Sequence, residues 1–180
     1  MLVTGAGSNG LLIAQILRRQ GAGRTIVSEP DARRRALALD LGADEALDPA
    51  AAGLADALGG AVVDVAFETA GSLPALRDCI DVLADDGRVV VFGVNRDTDV
   101  LDVPVYRFHR RNLSLITSFG AERADAAAAA ELLPSLALEP LISHRYQLTE
   151  IAAAFDAART GAGLKVLVYP SVTQASRCEG

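Results

Sequence analysis

Gly5-Ala6-Gly7-Ser8-Asn9-Gly10 is a GxGxxG run, set between the apolar stretch Leu2-Val3-Thr4 and a helical pattern. That order of strand, glycines and helix suits a pyrophosphate. Gly5 permits a tight turn, Gly7 lets backbone approach the phosphates, and Gly10 lets the helix pack closely on the strand. The unpaired N–H groups at the helix start would then face the anion, helped by the helix dipole. Glu29 closes a second apolar run, Arg24-Thr25-Ile26-Val27-Ser28, at about the 20-residue spacing expected of the acid that holds a ribose. A glycine-rich turn with a surface glutamate would show the same letters. Strand, motif, helix and acid together favour a dinucleotide site.

Glu29 also bears on which dinucleotide. A 2′-phosphate there would meet a carboxylate and lose a charge-assisted contact of roughly 1.5–3 kcal/mol, about 10- to 150-fold in affinity. Arg33, Arg34 and Arg35 pull the other way, since one of them could pair with that phosphate. On a helix the three fan apart, so only one can point at the ribose. The expectation is NAD.

Apolar runs alternate with helical patterns as far as Gly120. Gly10 to Gln20 carries Ile13, Ile16 and Leu17 at helical spacing, and Gly21 and Gly23 stop it. A helix follows Pro30, with Ala36, Leu37, Leu39 and Leu41 leading to Gly42. Asp44 to Leu47 reads as a weak third strand, and Ala50 to Leu58 as a short helix. Val62 to Phe67 is a fourth strand, Leu73 to Ala84 a helix with Asp85-Asp86-Gly87 turning out of it. Arg88 to Phe92 and Leu113 to Thr117 make a fifth and sixth strand. Strands separated by such helices imply parallel pairing with both faces covered. The fold class is α/β, a doubly wound parallel sheet of Rossmann type.

Asn95 to Asn112 breaks the alternation. It reads as a long loop or as an edge strand with a short helix, and it carries Pro104 and the basic group Arg107, Arg110 and Arg111. Beyond it, Leu141 to Tyr146, Glu150 to Arg159 and Lys165 to Tyr169 give a C-terminal strand–helix–strand tail. The expected organisation is a nucleotide-binding domain over 1–140, a docking tail over 141–170, and a polar, frayed end over 171–180.

Composition excludes several classes. The chain has 180 residues, 51% of them hydrophobic, too many for a disordered chain, and no apolar run of the ~18 residues a membrane span needs. A net charge of −6 leaves no footprint for nucleic acid. Met1-Leu2-Val3-Thr4 lacks the basic start of a signal peptide, and Cys79 and Cys178 fit no metal or CxxC spacing. They read as thiols of a reducing cytoplasm.

Gly5–Gly10, Val27-Ser28-Glu29-Pro30, Leu41-Gly42-Ala43-Asp44, Phe67-Glu68-Thr69-Ala70-Gly71-Ser72 and Gly87-Arg88-Val89-Val90-Val91-Phe92-Gly93-Val94 form an ordered series. Together they resemble the nucleotide-binding half of the medium-chain, zinc-dependent alcohol and polyol dehydrogenases. Pro140-Leu141-Ile142-Ser143-His144-Arg145, Phe155-Asp156-Ala157-Ala158 and Lys165-Val166 resemble the family's closing segment. The resemblance implies that backbone amides of Ser8 and Asn9 hold the pyrophosphate, Glu29 the adenosine ribose, with Arg34 beside it. It sets Thr69 and Ala70 beside the riboses, Gly93 and Val94 at the nicotinamide carboxamide, and Ser118-Phe119 on its far side. Lys165 matches a basic residue that reaches the pyrophosphate. Asn9 departs from the pattern, which has an aliphatic side chain against the nicotinamide ring.

The family's alcohol oxygen binds zinc held by a separate catalytic domain. His109 and His144 have no cysteine nearby and read as loop or interface residues, and no Ser-Tyr-x-x-x-Lys arrangement offers another route. The expectation is therefore the cofactor half of an NAD-dependent dehydrogenase for a small alcohol or polyol, cut short or started late. The alternative is a stand-alone or degenerate NAD-binding module. The resemblance also implies a homodimer through Asp99–Val103 as an edge strand pairing with its twin, against the alternative of an acidic loop.

Overall fold

The computed structural model describes residues 1–161 and 163–170, so the expectation of a frayed end over 171–180, Cys178 included, lies outside the described residues. Packing divides the chain into two units, the first Met1–Leu136 and the second from Ala137.

The first unit is built on a six-stranded sheet, β1 (Leu2–Thr4), β2 (Ile26–Ser28), β3 (Glu45–Leu47), β4 (Val63–Glu68), β5 (Leu83–Val91) and β6 (Ser114–Thr117). Its order is β3-β2-β1-β4-β5-β6 and every pairing is parallel. Helices α1 (Ser8–Arg19), α2 (Ala32–Asp40), α3 (Pro49–Ala52), α4 (Leu54–Ala57) and α5 (Leu73–Asp81) carry the chain between the first five strands. The strand order reverses at β1 and β4, the switch point where such sheets bind ligands.

Burial explains the short strands. All three residues of β1 and of β2 are buried, so each stretch reads as a continuous apolar run rather than an alternation. Leu2 and Ile26 join Leu54, Leu76, Ile80, Leu83 and Val89 in one cluster between the sheet and α4–α5. Val3 and Val27 point to the opposite face by the two-residue alternation of strands. Leu11, Ala14 and Ala38, the buried residues of α1 and α2, likewise lie outside that cluster.

Three local expectations change. The helix expected over Ala50 to Leu58 is split at Gly53 into α3 and α4. The helix after Leu73 ends at Asp81, not Ala84, because buried Val82 and Leu83 pair with the start of β4. There the Val63 N–H donates to the Val82 carbonyl at 2.9 Å, and the register slips between Val63 and Val65. Asp86 sits at φ +62 within that irregularity, so the expected turn at 85–87 is a bulge inside β5. Asp99–Val103, expected either as an edge strand or as an acidic loop, is irregular chain ahead of α6 (Val105–Arg111). α7 (Arg123–Leu132) follows β6.

The second unit holds β7 (Ile142–Gln147), α8 (Ile151–Arg159) and β8 (Lys165–Tyr169), with the two strands parallel, as the tail's pattern suggests. No helix of the described residues is long and apolar enough to cross a membrane.

Candidate cofactor site

The glycine loop is shaped by what a Cβ would strike. Gly5 takes φ +93, which side chains rarely adopt, while its N–H donates to the Ser28 carbonyl at 2.8 Å and ties the loop to β2. A Cβ on Gly10 would run into the Gly5 carbonyl oxygen and come within 2.8 Å of Thr69 Oγ1, so α1 can lie this close only with glycine there. Gly7 caps α1 with no side-chain hydrogen bond, and nothing stands within 4 Å of where its Cβ would be. Ser8 and Asn9 open the helix, whose first-turn N–H groups have no partner within the helix and whose first turn holds no acid. Unpartnered N–H groups at a helix start suit an anion.

Glu29 is 6% exposed. Its Oε2 accepts from the Ala6 N–H at 2.7 Å and its Oε1 from the Asp31 N–H at 3.0 Å, so the acid holds the glycine loop from below. A carboxylate offers about four acceptor positions, so two remain for ribose hydroxyls. A cleft of roughly 270 Å³ opens beside it, walled by Gly5, Ser28, Pro30, Ala70 and Ser72. Asp78 also lines it, and burial, then Asp81, raises its carboxyl above the usual range.

The three arginines separate as helix geometry demands. Arg35 donates to the Glu29 and Pro30 carbonyls at 2.7 Å each and pairs with Asp48 at 3.1 Å, which commits it to the β2–α2 turn. The half-buried Arg34 and the exposed Arg33 give their backbone N–H groups to Asp31 Oδ1 at 3.1 and 2.8 Å. Asp31 is thus the N-cap of α2. The Arg34 N–H is the main cause that draws its carboxyl below the ordinary range, with the Arg33 N–H adding to it.

The remaining expected residues follow the ends of β4, β5 and β6. Thr69 donates its hydroxyl to the Thr4 carbonyl at 2.7 Å, fastening the β4 loop to β1, and Ala70 is exposed above it. The Gly93 N–H donates to the Glu68 carbonyl at 2.8 Å, and Val94 is 90% exposed. The Ser118 N–H donates to the Val91 carbonyl at 3.3 Å, and Phe119 is fully exposed. Except for Arg34 on α2 and Lys165, the expected site residues all lie at the carboxyl edge of the parallel sheet. Lys165 opens β8 in the second unit.

Two residues escaped the sequence reading. Arg35 has no role of its own in the sequence, and its contacts with the Glu29 and Pro30 carbonyls and with Asp48 give it one. Glu68 lies just past the strand expected over Val62 to Phe67, in the family-like series Phe67–Ser72 with no role of its own, and it closes β4. It is 0% exposed, its Oε1 accepts from the Ser72 N–H at 3.3 Å, and its Oε2 has no hydrogen-bond partner. An acid closing a strand that is apolar apart from the exposed Asp64 was the available signal. The described residues bring together no group of three or more His, Cys, Asp or Glu able to hold a metal ion.

Residues 10–135 match the family model described as zinc-binding dehydrogenase. The chain belongs to the zinc-binding dehydrogenase family. L-threonine 3-dehydrogenase of Rhizobium rhizogenes is 30% identical over 174 residues, 93% of this chain and 50% of that protein. A protein described as a zinc-binding dehydrogenase from Sinorhizobium meliloti, solved with NADP bound, superposes with TM-score 0.87 at 28% identity, covering 94% of this chain and 52% of its own. Alcohol dehydrogenase of Thermotoga maritima gives TM-score 0.87 at 26% identity, covering 94% and 49%. The chain spans about half the length of the curated relatives it matches. Membership of the family supports the medium-chain resemblance and the Rossmann-type fold read from the sequence.

Proposed function

We propose that this chain is the cofactor half of an NAD-dependent dehydrogenase acting on a small alcohol or polyol in the cytoplasm. The observation that carries this is the buried Glu29 bonded to the Ala6 N–H under an open Gly7. In this reading Ser8 and Asn9 present backbone N–H groups to the pyrophosphate, Glu29 accepts from the adenosine ribose, and Arg34 lies beside it. Thr69 and Ala70 border the riboses, Gly93 and Val94 receive the carboxamide, and Ser118 and Phe119 lie beyond it. The dinucleotide, when bound, supplies hydride exchange with the substrate carbon. The described residues do not fit the zinc that the family name implies. Zinc and most substrate contacts are assigned to the other half of the whole protein.

Fluorescence titration tests the cofactor. NADH should bind at least tenfold more tightly than NADPH, although one solved relative holds NADP. Glu29→Ser should narrow that ratio by removing the carboxylate that a 2′-phosphate would meet. Equal affinities for the parent chain would sink the preference.

The reading includes a homodimer of two first units joined through Asp99–Val103. Val100 is 71% exposed, whereas Leu101 turns inward against the core, so Val100 is the residue to alter. Light scattering should show a dimer that Val100→Lys weakens, and a monomeric parent would overturn it.

A further inference from the structure

Glu68 brings a carboxylate to the junction of three backbone segments at the carboxyl edge of the sheet. It ends β4, one of its oxygens accepts from the Ser72 N–H, and its carbonyl accepts from the Phe92 and Gly93 N–H groups at 2.9 and 2.8 Å. The other oxygen, Oε2, is turned toward Gly93, 2.8 Å from where a Cβ on that residue would stand. That oxygen is buried without a partner, and among the described residues Glu68 makes no ion pair. A carboxylate so placed is costly unless a positive charge comes near it.

The two redox forms of the cofactor differ in that respect. The nicotinamide ring is a cation when oxidised and neutral when reduced, while the rest of the molecule is unchanged. We propose that Glu68 is a specificity-determining residue that favours the oxidised cofactor over the reduced one. Its uncompensated carboxylate, aimed at Gly93, offsets the charge of the oxidised ring. This rests on the reading that Gly93 and Val94 receive the nicotinamide end. Glu68 need not touch the ring, because the field of a buried charge carries through a low-dielectric interior.

Calorimetric titration of the chain and of Glu68→Gln with NAD⁺, NADH and ADP-ribose provides the test. Glutamine keeps the shape and can still accept from the Ser72 N–H. The variant should lose about tenfold more affinity for NAD⁺ than for NADH, the order expected of one uncompensated charge. ADP-ribose, which lacks the ring, should bind both proteins alike. Glu68→Asp keeps the charge and should keep the parent's NAD⁺/NADH ratio. Should Glu68→Gln not fold, Glu68→Met removes the same charge and reads the same ratio. Equal losses for NAD⁺ and NADH, or a loss shared by ADP-ribose, would make Glu68 a structural residue only and overturn the proposal. Failure of the parent to bind any of the three would overturn the cofactor reading itself, and this proposal with it.

Discussion

The two sides of the candidate site are finished to different degrees. At the carboxyl ends of β1 and β2 the polar groups bond to one another, Ala6 and Asp31 to Glu29, Gly5 to Ser28, and Arg35 to the turn carbonyls, while at the amino end of β2 Thr25 Oγ1 is buried without a partner. Around the ends of β4 and β5, Glu68 Oε2 and Asn95 Oδ1 are buried without partners, and Val94 and Phe119 stand exposed. Buried polar groups are satisfied as a rule, so the first, the adenosine side of the proposed reading, is the finished one. The second, the nicotinamide side of the proposed reading, leaves two buried oxygens without partners.

The largest expected effects break the adenosine side, and they separate fold from binding. Gly10→Val places a branched side chain against the Gly5 carbonyl and Thr69, so both thermal stability and NADH binding should collapse. Gly7→Ala meets nothing within 4 Å and sits at φ −71, which alanine adopts freely. Its melting temperature should stay within about a degree, while NADH affinity falls tenfold or more as a methyl enters the phosphate's approach. Scanning calorimetry with NADH titration checks both. A Gly7→Ala chain that binds normally would remove the phosphate from this loop.

How much of this the sequence could show differs between the same two sides. The glycine loop and Glu29 are legible because each residue answers a local demand, a φ of +93, a close helix or a strand-end acid. The parallel, doubly wound sheet follows from the alternation of strands and helices, but its order β3-β2-β1-β4-β5-β6 does not, since other doubly wound orders share that alternation. The β4–β5 region is harder to read. Val82 and Leu83 fit a helical pattern as well as a strand, and only their pairing with Val63 decides between them. Asp99–Val103 resembles an edge strand in its letters, yet a strand needs a ladder partner that this chain does not supply. Glu68 is invisible as more than a strand end, since its isolation depends on what surrounds it in space.

The exposed residues of the nicotinamide side should respond in the opposite sense to Gly10. Phe119→Ser removes a side chain that is fully exposed in the free chain, so stability should change by less than about 0.5 kcal/mol. Its effect should appear in binding, as a several-fold loss for NADH with ADP-ribose unaffected. A melting temperature that drops by several degrees would show that Phe119 is packed in solution, and would erase the contrast between the two sides.

The smallest expected effect is electrostatic and sits beside the adenosine cleft, where Asp31 and Asp78 are perturbed in opposite directions. Asp31 is held below the ordinary carboxylate range chiefly by the Arg34 N–H, so its ionised form stabilises the start of α2. That contribution is complete above the unfolded carboxylate's value and is lost as the pH falls through the lower folded one. Asp78 is raised by burial and then by Asp81, so its ionised form opposes folding. That penalty is complete above the raised folded value and disappears as the pH drops to the unfolded one. Asp31→Ala should therefore melt a few degrees lower than the parent at pH 7, with the gap closing in acid below pH ~4. Asp78→Asn should melt slightly higher at pH 7, and its advantage should vanish over a higher pH interval than the one in which Asp31 loses its effect. Melting curves of the three chains taken from pH 7 down to 3 would show the Asp78→Asn gap closing first and the Asp31→Ala gap closing at lower pH. If both gaps closed together, the tightly bonded turn and the buried cleft wall would not differ electrostatically, and the adenosine side would be less finished than its hydrogen bonds indicate.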